Sequence, residues 1–76
     1  MIRPFGVDTN VKEFLSGEPV FFVITNHGPG DLEVWNVNNM VDYTIMPGEW
    51  RADTRNVLKM RCCTPGNFCY GTFEFR

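Results

Sequence analysis

The sequence has no long apolar run, and this limits where the protein resides. Met1 is followed by Ile-Arg-Pro-Phe-Gly, so the apolar core of a secretory signal peptide is missing. No stretch approaches the roughly 20 apolar residues of a transmembrane helix. We therefore expect synthesis in the cytoplasm without a signal peptide and no membrane partner. If the protein is a virion component, as the assembly hypothesis below states, its final location is the virion.

Positive charge is scarce, since seven Lys and Arg face nine Asp and Glu for a formal net charge of −2. Nucleic-acid binding needs an excess of basic side chains, so we expect no nucleic-acid partner. Residues 1–50 carry two basic and seven acidic side chains, and residues 51–76 carry five and two, which gives −5 against +3. Such a chain can associate head to tail with its own copies. The alternative is an ordinary solvated surface.

Cysteine and histidine are also few. Three cysteines, Cys62, Cys63 and Cys69, fit neither a disulfide framework nor a four-ligand zinc site. The single histidine, His27, lies in a Gly-Pro turn far along the chain from the thiols, so a Cys–His nucleophile is not expected. We expect no metal and no cofactor. Two buried free thiols at Cys62 and Cys69 are favoured over a disulfide.

Other catalytic patterns are missing as well. No glycine-rich phosphate loop precedes a helix. No two of the nine carboxylates have a spacing that forces them into one site for acid–base hydrolysis. We therefore expect no catalytic residues and no enzymatic activity.

What the sequence does contain is apolar, β-prone and divided by turns. Residues 20–37, VFFVITN-HGPG-DLEVWNV, predict a β-hairpin with its turn at residues 27–30. The predicted register places Val23 opposite Val34. Both faces of this hairpin would be apolar, which favours a central strand pair covered on each side. The cover is either a terminal segment or a partner chain.

Strands and turns are also predicted on both sides of this segment. Residues 41–46 alternate as a strand does, and Pro47-Gly48 ends it. Residues 64–67 predict the turn of a C-terminal hairpin that places Cys62 opposite Cys69. We expect one all-β domain over residues 1–76, with residues 1–10 as an irregular N-terminal arm. Its architecture is a small antiparallel β-sandwich or a partly open barrel of about six strands, immunoglobulin-like or jelly-roll-like.

Two turns carry a resemblance to a known family. Residues 25–31, TNHGPGD, and residues 46–49, MPGE, resemble the "TN-x-GPGD" hairpin and the "L-x-PGE" turn of small immunoglobulin-like modules in bacterial surface and adhesion proteins. The match covers residues 20–50. The resemblance implies a β-sandwich, and no functional residue is carried over with it.

Apolar and aromatic side chains in exposed places are the remaining candidates for a functional surface. Aromatic residues are favoured as interface anchors. The candidate interface residues are Phe5, Trp50, Cys63, Phe68, Arg61 and Tyr70. The alternative is that Phe5 and Trp50 close the two open ends of the core.

These observations favour a non-catalytic structural or assembly protein that acts in several copies. A chain of 76 residues that is 43% hydrophobic has little interior in which to bury that surface. A bacteriophage virion accessory, such as a decoration, cement or tail component, fits best, with a partner that is the protein itself or another virion or host protein. One alternative is a small inhibitor or adaptor that binds a host protein, of the anti-host-defence type. Another is a carbohydrate- or zinc-binding module, for which Trp35 and Trp50 or the cysteines would serve.

Overall fold

The fold is a single curled antiparallel sheet. The computed structural model describes residues 1–75, apart from the side chain of Ser16, and these residues form no helix. The strands are β1 (Ile2–Val7), β2 (Lys12–Pro29), β3 (Leu32–Trp35), β4 (Val41–Ile45), β5 (Trp50–Cys62) and β6 (Cys69–Phe75). Their order across the sheet is β1-β6-β2-β5-β3-β4. The predicted all-β antiparallel fold of about six strands is confirmed.

Both β2 and β5 are long strands that belong to two halves of the sheet. Residues 20–25 of β2 pair with residues 50–55 of β5, and β6 and then β1 extend the sheet from there. We call this part the β6 half. Residues 12–16 of β2 pair with residues 57–60 of β5, and β3 and then β4 extend the sheet beyond β5. We call this part the β3 half.

The two halves join at a bend in β2. The register with β5 shifts between Ser16 and Val20, and Gly17 has a φ of 136°, a conformation open to glycine and strained for other residues. Extra residues on one strand of a pair bend that strand and increase its twist. The bend turns the inner faces of the two halves toward each other.

The core lies between these inner faces. Phe5 of β1 and Phe73 of β6 meet Phe14 of the β3 half, with ring centroids 6.0 and 5.3 Å apart respectively. The buried apolar residues are Phe5, Val7, Phe22, Ile24, Leu32, Val34, Ile45, Leu58, Met60, Cys62, Cys69 and Phe73. Each large side chain of this kind stabilises the fold by about 1.5–3 kcal/mol.

The sheet does not close into a complete barrel, because β1 pairs with β6 alone and β4 with β3 alone. Two gaps remain between the halves. The apolar gap lies between β1 and residues 12–16 of β2. The polar gap lies between β4 and residues 50–55 of β5.

The backbone of β1 shows which groups face the apolar gap. Met1 and Phe75 exchange two backbone hydrogen bonds, N–H of Phe75 to O of Met1 at 2.9 Å and N–H of Met1 to O of Phe75 at 3.4 Å. Because hydrogen-bonded and non-hydrogen-bonded pairs alternate along an antiparallel ladder, the backbone groups of Ile2, Pro4 and Gly6 point to the free edge. Pro4, which lacks an N–H, therefore breaks no bond to β6 and removes one donor from the exposed edge.

The predicted hairpin over residues 20–37 is wrong. The chain does turn after Pro29, but β5 lies between β2 and β3, so Val34 pairs with Met60 instead of Val23. The turn takes the chain from the β6 half to the β3 half. The apolar inner faces of β2 and β3 are therefore covered in the core between the two halves.

The predicted C-terminal hairpin is also wrong. Residues 64–67 form the turn, with N–H of Asn67 donating to O of Thr64 at 3.1 Å, but β2 lies between β5 and β6. Cys69 pairs with Val7 and Pro29. At the N-terminus, the predicted irregular arm contains strand β1.

Candidate functional site

The outer surface of the β6 half exposes a group of aromatic side chains. Side chains alternate along a strand, and the inward positions of β2 and β6 in this half are buried. The intervening positions point outward and include Phe21 and Tyr70, and Trp50 of β5 is opposite Thr25, an outward position of β2. Phe68 lies beside Tyr70, with ring centroids 6.1 Å apart. We call Phe21, Trp50, Phe68 and Tyr70 the outer aromatic face.

The register shows that these residues share one surface. Trp50 of β5 is opposite Thr25 of β2, which is opposite Thr72 of β6, so Trp50 and Thr72 are separated by two strand spacings of about 4.8 Å. Tyr70 is two residues along from Thr72 on the same face and lies over Gly6 of β1, 3.6 Å from where a Cβ would be. The exposed fractions are 67% for Trp50, 51% for Phe68 and 54% for Tyr70.

The six predicted interface residues divide into three groups. Trp50, Phe68 and Tyr70 lie on the outer aromatic face. Phe5 is only 8% exposed and belongs to the core, so it is not available to a partner.

The other two predicted residues lie at the end of β5. Arg61 donates its Nε–H to Glu33 Oε1 at 2.5 Å and stands 5.3 Å from the Trp35 ring centroid. Cys63 is half-buried and bonds through its backbone to Asp31. Phe21, which sequence reasoning left out of the interface, is 43% exposed. Phe21 alternates with Phe22, so the sequence places it on the second apolar face of β2. Because this face was expected to be covered, Phe21 was not among the predicted interface residues.

The polar gap holds a connected network of charged side chains. The Tyr43 hydroxyl and the Arg55 Nε–H each donate to Asp53 Oδ2 at 2.7 Å. Arg55 also pairs with Asp42 through Nη2. The Arg51 guanidinium lies 4.0 Å from the centroid of the Tyr43 ring. These contacts join β4 to β5 where no backbone ladder does.

The network shifts the pKa values of Tyr43, Asp53 and Asp42. Burial and the bond to Asp53 raise the pKa of Tyr43 well above its usual range. Burial opposes ionisation of Asp53, but the bonds from Arg55 and Tyr43 outweigh it and lower the pKa of that carboxyl. The Arg55 bond also lowers the pKa of Asp42. The phenol stays neutral and both carboxylates stay charged at neutral pH, which is the charge state in which the network spans the polar gap.

The ion pairs connect the acidic residues 1–50 with the basic residues 51–76. Arg55 pairs with Asp42, and Arg61 pairs with Glu33. Each pair joins a base from residues 51–76 to an acid from residues 1–50, because β5 lies beside β3 and faces β4 across the polar gap. These charges are therefore paired within one molecule and do not form an acidic end and a basic end.

The thiols and the histidine lie apart. Cys62 and Cys69 are buried and free, as predicted, and His27 is exposed on β2. Burial and the neighbouring Cys62 thiol raise the pKa of Cys69, so its reactive thiolate form is disfavoured at neutral pH. Across residues 1–75, no group of three or more His, Cys, Asp or Glu could hold a metal ion.

The two tryptophans lie in different halves of the sheet. Trp35 is opposite Lys59 in the β3 half, and Trp50 is opposite Thr25 in the β6 half. The structure does not bring them together as a stacking platform for a sugar. No helix in the described part of the chain is long and apolar enough to cross a membrane.

No family model, curated protein or solved structure matches this chain.

Proposed function

We propose that the protein is a non-catalytic assembly protein that acts in several copies and binds through its outer aromatic face. The observation that supports this most is the exposure of Trp50 at 67%, with Phe21, Phe68 and Tyr70 on the same surface of a small domain. Exposed aromatic groups that share one surface are typical of protein interfaces. The residues between them, such as Thr25 and Thr72, are small, so a partner surface can approach the sheet.

The partner is a second copy of the chain, and the association is driven by apolar burial. Arg55 and Arg61 are neutralised within the molecule, so charge attraction between copies contributes less than the sequence suggested. Within this class, we assign the protein to the accessory components of a bacteriophage virion, such as decoration, cement or tail proteins. A small β domain that repeats through one exposed face suits that role.

The test is the molar mass in solution, measured by light scattering over a range of protein concentrations. We expect a discrete oligomer that persists at ~0.5 M salt, where ionic interactions are screened beyond a few Å. Trp50→Ser shifts the protein to monomer. Met40→Ser is the matched control, because Met40 is 63% exposed on the β3–β4 turn, away from the outer aromatic face, and it leaves the mass unchanged.

Two results would count against the proposal. A monomer at every concentration would remove self-association and favour the alternative of a small adaptor that binds one host protein. An oligomer that survives Trp50→Ser and dissociates in salt would return the interface to charged groups. For the virion role, antibody against the protein should label particles from phage-producing cells, and unlabelled particles would exclude it.

A further inference from the structure

A groove of about 390 Å³ opens in the apolar gap. It lies between the free edge of β1 and residues 12–16 of β2, on the side of the molecule where the sheet is not closed. The lining residues are Arg3, Pro4, Phe14, Leu15, Phe73 and Phe75. The volume falls in the range of about 300–1,000 Å³ that is typical of small-molecule sites.

The floor of the groove is aromatic. Phe73 is buried, and its ring centroid lies 5.3 Å from that of Phe14 and 5.9 Å from that of Phe75. Phe14 and Phe75 are only half-buried, since the groove exposes one side of each. An alkyl chain laid along this floor would remove that apolar surface from water, which is favourable in proportion to the area covered.

Arg3 lines the groove, and a second cation, Lys12, places its Nζ 5.4 Å from the ring centroid of Phe14. Arg3 alternates with Phe5 and Val7 on the inner side of β1, so its side chain points toward the groove, and it is exposed. Arg55 and Arg61 form the ion pairs found among residues 1–75, and no carboxylate in that part of the chain pairs with Arg3. A guanidinium presents donors in the geometry that a carboxylate accepts.

An extended peptide suits this groove less well than an acyl chain. Strand addition needs backbone donors along the edge, and Pro4 removes one from the centre of the β1 edge. We propose that the groove binds a medium-chain fatty acid, with the alkyl chain on Phe14, Phe73 and Phe75 and the carboxylate on the Arg3 guanidinium. This site is on the inner side of β1 and is separate from the outer aromatic face.

Calorimetric titration with sodium decanoate, kept below its micelle concentration, tests the proposal. We expect saturable binding of one decanoate per chain. Arg3→Gln weakens decanoate binding by about tenfold, the equivalent of one charge-assisted hydrogen bond, and leaves the binding of decanol unchanged. Arg51→Gln is the matched control, because it removes an exposed guanidinium from the polar gap and does not alter decanoate binding.

A second measurement locates the ligand without relying on a variant. Decanoate should shift the ring resonances of Phe14, Phe73 and Phe75 in the NMR spectrum and leave those of Trp50 and Phe68 in place. Three results would overturn the proposal: absence of saturable binding, equal decanoate affinity in Arg3→Gln and the unaltered protein, or shifts confined to the outer aromatic face. Binding of an acidic apolar peptide without any binding of decanoate would assign the groove to a peptide instead.

Discussion

The side-chain amide of Asn26 donates to the carbonyl oxygen of Ile45 at 2.8 Å and so ties β2 to the end of β4. The same amide donates to O of Gly30 at 2.9 Å, and its oxygen accepts from N–H of Gly28 at 2.8 Å. Asn26 is fully buried. One side chain therefore satisfies three backbone groups that the crossing from one half of the sheet to the other would leave without partners.

Replacing Asn26 should lower the free energy of unfolding more than the size of this side chain suggests. Asn26→Ala leaves these buried groups unsatisfied at about 1–3 kcal/mol each, so we expect the free energy of unfolding to fall by at least about 3 kcal/mol in a denaturant titration. Asn36→Ala is the control. Asn36 makes similar bonds, to Asn38 and Met40, but water can replace them, and a loss of about 1 kcal/mol or less is expected. Equal losses would contradict this account.

Gly71 is required by close packing. A Cβ at this position would overlap the carbonyl oxygen of Thr25 and lie 2.7 Å from the ring of Phe5. Since overpacking of a tight site costs about 1–3 kcal/mol and here one neighbour is backbone, Gly71→Ala should destabilise by about 3 kcal/mol or more. Gly6→Ala, whose Cβ would meet only the Tyr70 ring at 3.6 Å, should change the thermal midpoint little. A tolerated Gly71→Ala would mean that β2 and β6 are not so closely apposed.

The polar gap makes stability depend on acid pH. The pKa of Asp53 is lower in the folded protein than its ordinary value of 3.8, so the folded state binds fewer protons than the unfolded chain near that pH. The contribution of Asp53 is present above the ordinary pKa of 3.8 and is lost as the pH falls through the folded pKa. In Asp53→Asn, the difference in unfolding free energy between pH 7 and pH 3 should shrink. An undiminished difference would place the acid sensitivity elsewhere.

The same gap should govern stability at alkaline pH. The pKa of Tyr43 is raised above its ordinary value of 10.0, so the contribution of the neutral phenol is present below pH 10 and is lost as the pH rises beyond it. Tyr43→Phe removes this alkaline loss and costs about 1 kcal/mol at neutral pH for the missing bond. With Tyr70→Phe as background, the tyrosinate absorbance should rise only as the protein unfolds. A rise that precedes unfolding would contradict the burial of this phenol.

Pro4 should control association along the strand edge. Pro4→Val restores an N–H to the free edge of β1, which then offers an uninterrupted set of backbone groups to another strand. We expect Pro4→Val to form larger species with time, detected by light scattering, and this growth to persist when Trp50→Ser is added. Growth that disappears with Trp50→Ser would assign it to the outer aromatic face instead.

Much of the local structure is predictable from the sequence, because turns depend on neighbouring residues. Pro47-Gly48 and residues 64–67 do turn the chain, and residues 41–45 do form a strand. The pairing was not predictable from turn chemistry. A turn fixes where a strand ends, whereas the entry of β5 between β2 and β3 depends on which apolar faces cover each other over the whole molecule.

The residues of the candidate sites were also predictable only in part. Trp50, Phe68 and Tyr70 could be placed on the surface because each follows or lies near a turn. The polar gap was not predicted, since Asp42 and Tyr43 meet Asp53 and Arg55 only after the β3 half has folded over the β6 half. The prediction that Phe5 is exposed was wrong. Phe5 is enclosed by the rings of Phe14 and Phe73, and the residues next to Phe5 in the sequence do not indicate that contact.

The long strands β2 and β5 have a consequence for the way the molecule can come apart. Each half of the sheet contains part of both strands, so neither half consists of a continuous piece of chain. A protease cut or a fragment boundary anywhere within residues 12–29 or 50–62 removes a strand from both halves at once. Neither half of the sheet can therefore be excised as one continuous segment.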